Sequence, residues 1–283
     1  PKLILDNNLF GLDVDKRASQ LASFSLIMKA RSIDSRFFQT SRISYPKVFE
    51  IKDSKMLISM DYKKKLLDLN NNDWKKDEHL SDDEIKLVDY VIETFVDGKV
   101  IGSLLKVKRD NYVPLISKMN HLHKVTIRGI FNGEFVEYGL KRIVQLLRLA
   151  DIMSRKYDVL ITNPPYLSTS KFEDKQKYYF RDNYPNSKSD MFAMFMETEL
   201  TRKNGLVALV NPDTWMFLGD YLNHRNNILR NKTIINMINI KDFIFDSVVS
   251  TTTFITREVH NGYTGIYIPY YRGINEGLDL KNQ

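Results

Sequence analysis

Two hydrophobic patterns alternate along the chain: apolar residues recurring every three or four positions, and short continuous apolar runs that stop at turn-forming residues. Ala18, Leu21, Ala22 and Leu26 share one helical face behind Asp15, and Leu140, Ile143, Val144, Leu147 and Ile152 share another across 139–153. Ser81-Asp82-Asp83-Glu84 has capping-box form and predicts a helix running to about Val96. The Met- and Phe-rich stretch from Asp190 to Leu200 predicts a further helix. The continuous runs read as strands. The segment behind Pro1 is apolar and strand-like, and NLFGLDV (8–14) predicts a short buried strand ending in acids. YDVLIT (157–162), 206–210 and 233–240 predict buried strands of a parallel sheet. The segments 251–258 and 265–271 flank Asn261-Gly262, a pair suited to a hairpin turn. Strands alternating with helices and closing on a hairpin predict an α/β fold, its sheet mostly parallel with an antiparallel edge hairpin.

Composition narrows the class. The chain has 283 residues, 43% of them hydrophobic, with 16 Phe and 15 Tyr, enough to fill one large α/β core or two modest ones. With no cysteine, disulfides and thiolate metal sites are excluded. No apolar run approaches a membrane span and no signal-peptide core follows Pro1, which predicts a soluble, cytoplasmic protein without a membrane partner. A net charge of +7 favours a polyanionic partner, because basic surface releases counterions from phosphates. His121-Leu-His123 would place two imidazoles on one strand face, but with no third ligand no metal site is expected.

The chemistry concentrates at Asn163-Pro164-Pro165-Tyr166, where the YDVLIT run stops. Ligands of open α/β sheets sit beyond the carboxyl ends of the strands, where this tetrapeptide falls. An adenine amino nitrogen is a poor nucleophile because its lone pair is delocalised into the ring. The Asn163 side-chain oxygen and the Pro164 carbonyl can each accept one of its hydrogens, drawing the nitrogen toward tetrahedral geometry. Two successive prolines hold those acceptors still, and Tyr166 offers a flat face to the base. Downstream, Lys171, Lys175, Lys177, Arg181 and Lys188 interleave with Tyr178, Tyr179, Phe180 and Tyr184. Basic residues among stacking aromatics suit DNA contact; an amphipathic helix with a solvated face is the alternative.

NPPY behind a buried strand resembles motif IV of amino-methyltransferases. The flanks NLFGLDVDKRASQLA (8–22) and NYPNSKSDMFAMFME (183–197) are similar to the adenine-specific (N6) DNA methyltransferases of BREX (Pgl-type) phage-defence systems, and the similarity runs through essentially the whole chain. The resemblance implies a Rossmann-like methyltransferase sheet, S-adenosylmethionine as cofactor, and double-stranded DNA as substrate with the target adenine flipped out. It makes Asn163 to Tyr166 catalytic and implies that Asp13, at a strand end, accepts from the cofactor's ribose hydroxyls, with Asp15 in reserve or simply capping a helix. Phe192 would wall the cofactor's adenine or belong to the core. Phe245 would stack on the extruded base, with Phe243 as alternative. Other defence-system subunits become expected partners.

The departures matter as well. No Gly-x-Gly occurs, so the glycine-rich cofactor loop expected on a preceding strand is missing, and the chain reads as a piece of a longer enzyme, inactive alone. The acid of motif III is indistinct, Ala150-Asp151 lying in a helical pattern. About 150 residues separate Asp13 from Asn163, more than a plain β–α–β–α spacing needs. The expected organisation is therefore methyltransferase core over 1–31, a largely helical insertion over 32–138, core again over 139–271, and over 272–283 the start of a connection to a target-recognition domain. Two rivals stay open: a non-catalytic DNA-binding or assembly subunit, and a methyltransferase acting on RNA adenine or protein glutamine.

Overall fold

The structure, a computed structural model, describes residues 1–39, 41, 43–71, 79–128, 133–240 and 250–268. The chain forms two compact units, Pro1–Arg155 and Lys156–Gln283.

In the first unit, helix α1 (Lys2–Asn7) leads into strand β1 (Phe10–Asp13) and helix α2 (Lys16–Ile33); β2 (Lys47–Glu50) follows. The apolar start expected to be extended is thus helical, and it buries Leu5 in a small cluster with Ala30 and Phe37. Asp15 caps α2, its Oδ1 accepting from the backbone N–H of Arg17 (2.6 Å) and Ala18 (3.0 Å). β2, in a stretch whose polarity gave no strand signal, lies parallel to β1 with Asp13 level with Glu50. Short helices α3 (Lys55–Ser59) and α4 (Tyr62–Asn71) precede α5 (Asp82–Thr94). The Ser81/Glu84 capping box forms as expected. After α6 (Gly98–Ile101) come α7 (Tyr112–Arg128) and α8 (Leu140–Ser154). Every residue of the expected α8 stripe, from Leu140 to Ile152, is buried. α8 packs against α5 and α7, and Lys118 of α7 reaches Glu84 of α5 at 2.6 Å. His121 and His123 lie in α7 rather than on a strand, so residues two apart point to different sides.

The second unit holds β3 (Tyr157–Thr162), α9 (Asp174–Asn183), α10 (Met191–Met196), β4 (Thr201–Pro212), α11 (Leu222–Asn231), β5 (Thr233–Asn239), β6 (Thr251–Arg257) and β7 (Ile266–Ile268). Its sheet has the order β3-β4-β6-β5-β7. β3 and β4 are parallel, β6 runs antiparallel between β4 and β5, and β7 is parallel to β5. With the β1–β2 pair, three of the five described pairings are parallel, so the chain has the expected mixed α/β class. The core gathers Phe192, Met196, Val207, Leu209, Trp215, Tyr221, Ile228 and Phe254 on one face of the sheet.

Two local expectations change. The hairpin across Asn261-Gly262 does not form, because both edges of β6 are already paired, to β4 and β5. The chain instead crosses to the far edge of β5. Gly262 turns it at φ +71°, and Gly265 passes so close to β5 that a Cβ there would lie 2.3 Å from the Ile234 carbonyl oxygen. Secondly, β3 is only half buried. As the end strand it packs Leu160 against the core, while Val159 and Ile161, on the opposite face, are 53% and 77% exposed.

Candidate functional site

β3 delivers Asn163 to the carboxyl end of the sheet. Thr162 pairs with Leu209, so the tetrapeptide emerges beside the end of β4. Pro164 is buried and anchors the loop, while Asn163 and Pro165 are exposed. Tyr166 folds back: its hydroxyl lies 3.2 Å from Asn163 Oδ1 and 3.2 Å from the Val210 carbonyl oxygen of β4. Burial raises the Tyr166 hydroxyl above the ordinary tyrosine value of 10.0, so it keeps its proton at neutral pH.

Behind Tyr166 stands an aromatic stack. Phe192 meets it edge-on, with centroids 6.3 Å apart and planes at 86°, and Phe192 in turn lies 5.6 Å from Tyr221. Phe192 is 3% exposed and packs in the core cluster. Tyr221 donates its hydroxyl to Asp190, whose burial raises its carboxyl pKa. The loop beyond the tetrapeptide is fastened to the segment entering α10: Met191 N–H donates to the Leu167 carbonyl (3.0 Å), and Thr169 N–H to that of Ser189 (2.9 Å).

These two fastened segments and α9 border an open cleft of about 600 Å³. Ser168, Thr169 and Ser170 line it together with Lys188 of the segment fastened to them, and Lys177, Tyr178 and Arg181 line it from α9. Of the five basic residues singled out, the fold therefore collects Lys177, Arg181 and Lys188; Lys171 and Lys175 are exposed and do not line the cleft. Arg181 stacks on the Tyr178 ring at 4.6 Å. Lys177 is partly offset by Asp174 at 3.3 Å, and Lys188 has no acidic partner among the described residues.

Asp13 ends β1 in the first unit. Its Oδ1 accepts the Asp15 N–H at 2.8 Å, and no such bond engages Oδ2 among the described residues. Asp15 itself is committed to the start of α2, and the two backbone bonds it accepts lower its pKa. The sequence gave no hint of Glu50, which comes level with Asp13 at the same sheet edge but is held by Lys52 (2.7 Å) and Lys99 (3.0 Å). Nor did it reveal the Val210 carbonyl, Tyr221 or Asn211 as neighbours of the site's strands and helices. Asn211, next to Val210, is fully buried, and neither end of its carboxamide has a hydrogen-bond partner among the described residues. Phe243 and Phe245 lie outside the described residues. Among the described residues no cluster of three or more His, Asp or Glu could hold a metal, and no helix is long and apolar enough to cross a membrane.

The chain is 30% identical to adenine-specific methyltransferase BrxX of Escherichia coli O9:H4 (strain HS), an alignment covering 99% of this chain and 24% of that protein. It is 31% identical to adenine-specific methyltransferase PglX of Lacticaseibacillus casei (strain Zhang), covering 93% of this chain and 21% of that one. The chain thus spans a quarter or less of the length of these curated relatives. Among solved structures, the ATP-dependent Type ISP restriction-modification enzyme LlaBIII, bound to DNA, aligns over 95% of this chain and 18% of its own, at 11% identity and a TM-score of 0.38. Residues 7–245, which include β1 with Asp13, β3 and the whole NPPY loop, match one family throughout. The chain belongs to the Eco57I restriction-modification methylase family.

Proposed function

We propose that this chain carries the reacting centre of a site-specific, adenine-specific DNA methyltransferase that transfers a methyl group to the N6 amino group of a flipped adenine. The observation that carries the reading is the exposed Asn163 carboxamide, set on a buried proline at the carboxyl end of β3. The cofactor is S-adenosylmethionine, which supplies the electrophilic methyl group. An acidic strand end suits the ribose hydroxyls of such a nucleoside, and Asp13 fits that need, with Oδ1 already held by a backbone N–H.

In this reading Asn163 Oδ1 and the Pro164 carbonyl accept the two amino hydrogens of adenine. Those bonds localise the nitrogen lone pair and aim it, and the proton released on methylation leaves to solvent through the same acceptors. Tyr166 presents its ring to the base, and Phe192 backs that ring from the core. Phe245 is the aromatic expected to close over the base from the other side. The cleft of Lys177, Arg181 and Lys188, with its serine and threonine hydroxyls, takes backbone phosphates of the strand beside the flipped nucleotide. The partners are double-stranded DNA and further subunits of a cytoplasmic phage-defence or restriction-modification system. The residues 32–138 form a family-specific insertion between the two parts of the methyltransferase core.

The experiment is methyl transfer by the complete protein to duplex DNA. Asn163→Ala should lower turnover about a hundredfold, the scale for losing one preorganised polar group, with cofactor affinity unchanged. Undiminished turnover by Asn163→Ala would refute the reading. Methylation of RNA or of protein glutamine in place of DNA would redirect it, and methylation of none by the wild-type protein would favour a non-catalytic DNA-binding subunit.

A further inference from the structure

Tyr166 has one phenolic proton and two acceptors competing for it, Asn163 Oδ1 and the Val210 carbonyl, both at 3.2 Å. Whichever takes the proton, the other oxygen faces the phenol with no hydrogen between them. A carboxamide resolves this conflict on its own, because its two ends are nearly isosteric and it can be turned over in place. With Nδ2 toward Tyr166, the bonds form a directed chain: the Asn163 amide donates to the phenol, and the phenol donates to the Val210 carbonyl. Every contact then has one donor and one acceptor, and Oδ1 is left on the open side with both lone pairs free.

We propose that the Tyr166 hydroxyl is a positioning group that fixes which end of the Asn163 carboxamide faces the substrate. The inference rests on the proposed role of Asn163 as the acceptor of an adenine amino hydrogen. That amino group is a pure donor at its hydrogens, so an amide presenting Nδ2 would set donor against donor. Asn163 is exposed, and its Nδ2 makes no other hydrogen bond among the described residues, so little else selects the productive orientation. The lock has a rigid base. Val210 sits in β4, paired to Thr253 of β6, and the Tyr166 ring is seated on Phe192, which rests on Tyr221. The phenol is protonated throughout the neutral range, its ordinary value of 10.0 being only raised by burial, so the directed chain persists there. Tyr166 therefore has two separable roles, the ring toward the base and the hydroxyl toward Asn163.

Tyr166→Phe separates them, since it keeps the ring and deletes the hydroxyl. In single-turnover methylation by the complete protein, with duplex DNA and S-adenosylmethionine saturating, Tyr166→Phe should slow methyl transfer about two- to tenfold, the worth of one neutral hydrogen bond. DNA and cofactor affinities should stay within twofold. The same substitution in an Asn163→Asp background provides the decisive comparison. A carboxylate has two equivalent oxygens and nothing to orient, so Tyr166→Phe should cost less than twofold there. Equal losses in both backgrounds, or no loss beside Asn163, would overturn the proposal. Should Asn163→Asp be too slow to measure, nitrogen-15 NMR of the Asn163 side-chain amide gives the answer. Its hydrogen-bonded proton should move to the free-amide position in Tyr166→Phe, and an unmoved signal overturns the proposal. Wild-type turnover in Asn163→Ala would remove the functional reading itself, whereas a crippled Asn163→Ala with a silent Tyr166→Phe removes only this inference.

Discussion

Glu197 is the residue whose loss should most disturb the ground beneath the NPPY loop. It ends α10, the helix that carries Phe192, and its side chain is 10% exposed. Oε1 lies 3.2 Å from Nδ1 of His224 and 3.3 Å from Nδ2 of Asn227, both on α11, and Oε2 accepts from Ser187 Oγ at 3.0 Å. His224 is fully buried and Ser187 nearly so. Glu197→Ala would strand His224 and Ser187, which are buried away from water, and would free the half-buried Asn227. Leaving a buried hydrogen-bonding group without its partner costs about 1–3 kcal/mol per group, a large part of the stability of an ordinary domain. Glu197→Gln keeps the shape and one acceptor, so only charge assistance and one bond are lost, about 1–2 kcal/mol. Urea unfolding followed by tryptophan fluorescence reads this out directly. Trp215 meets His224 edge-on at 6.3 Å, and Trp74→Phe leaves Trp215 as the sole reporter in the chain. Acidity adds a signed check. Burial alone would raise the Glu197 carboxyl pKa, but the bond and charge of His224, with Ser187 and Asn227, more than reverse it, so it sits below the ordinary 4.5. A carboxyl depressed on folding stabilises the protein above its unfolded pKa and ceases to do so as pH falls through the folded one. The gap between wild type and Glu197→Gln should therefore be full at pH 7 and close progressively below about pH 4.5. A Glu197→Ala cost under about 1 kcal/mol, or a gap that widens in acid, would show that the cluster does not hold α10 and α11 together.

Two further outcomes are expected. If the cleft binds phosphates, Arg181→Ala and Lys188→Ala should each flatten the logarithmic salt dependence of duplex binding by about one unit, measured by fluorescence anisotropy, while Lys171→Ala changes it little. Asn211→Leu should raise the unfolding midpoint, the gain being about 1–3 kcal/mol for replacing a buried, unpartnered amide with an apolar side chain of similar size. A loss of stability would show instead that Asn211 holds an ordered water or a ligand.

Periodicity made most of the elements legible. β3 begins and ends where its apolar run does, and the capping box opens α5 at the expected residue. The α8 stripe could be read because a helix burying one face must repeat its apolar residues at 3.6-residue spacing. The same logic misread α1. Its run of Leu3, Ile4 and Leu5 is too short for a period to separate helix from strand, and Leu5 alone is buried. β2 escaped because KVFE is four residues long and no residue in it is fully buried; its partner β1 makes it a strand.

The NPPY tetrapeptide, the acid closing β1 and the basic stretch beyond the loop were fixed by local order alone, because strand ends, proline geometry and charge spacing are properties of neighbouring residues. Pairing was not. A strand's sequence carries its faces but not its neighbours, so Asn261-Gly262 looked like a hairpin until both edges of β6 proved to be occupied. The site's supports were equally invisible. Tyr166 meets the Val210 carbonyl from 44 residues away, Tyr221 reaches Asp190 from 31, and Glu197 meets His224 from 27. Lys177, Arg181 and Lys188 become one cleft, without Lys171 and Lys175, only because α9 turns one face toward the fastened loop. The candidate residues were written in local sequence; which groups hold and aim them depended on side chains meeting across long separations, and only the folded chain decides that.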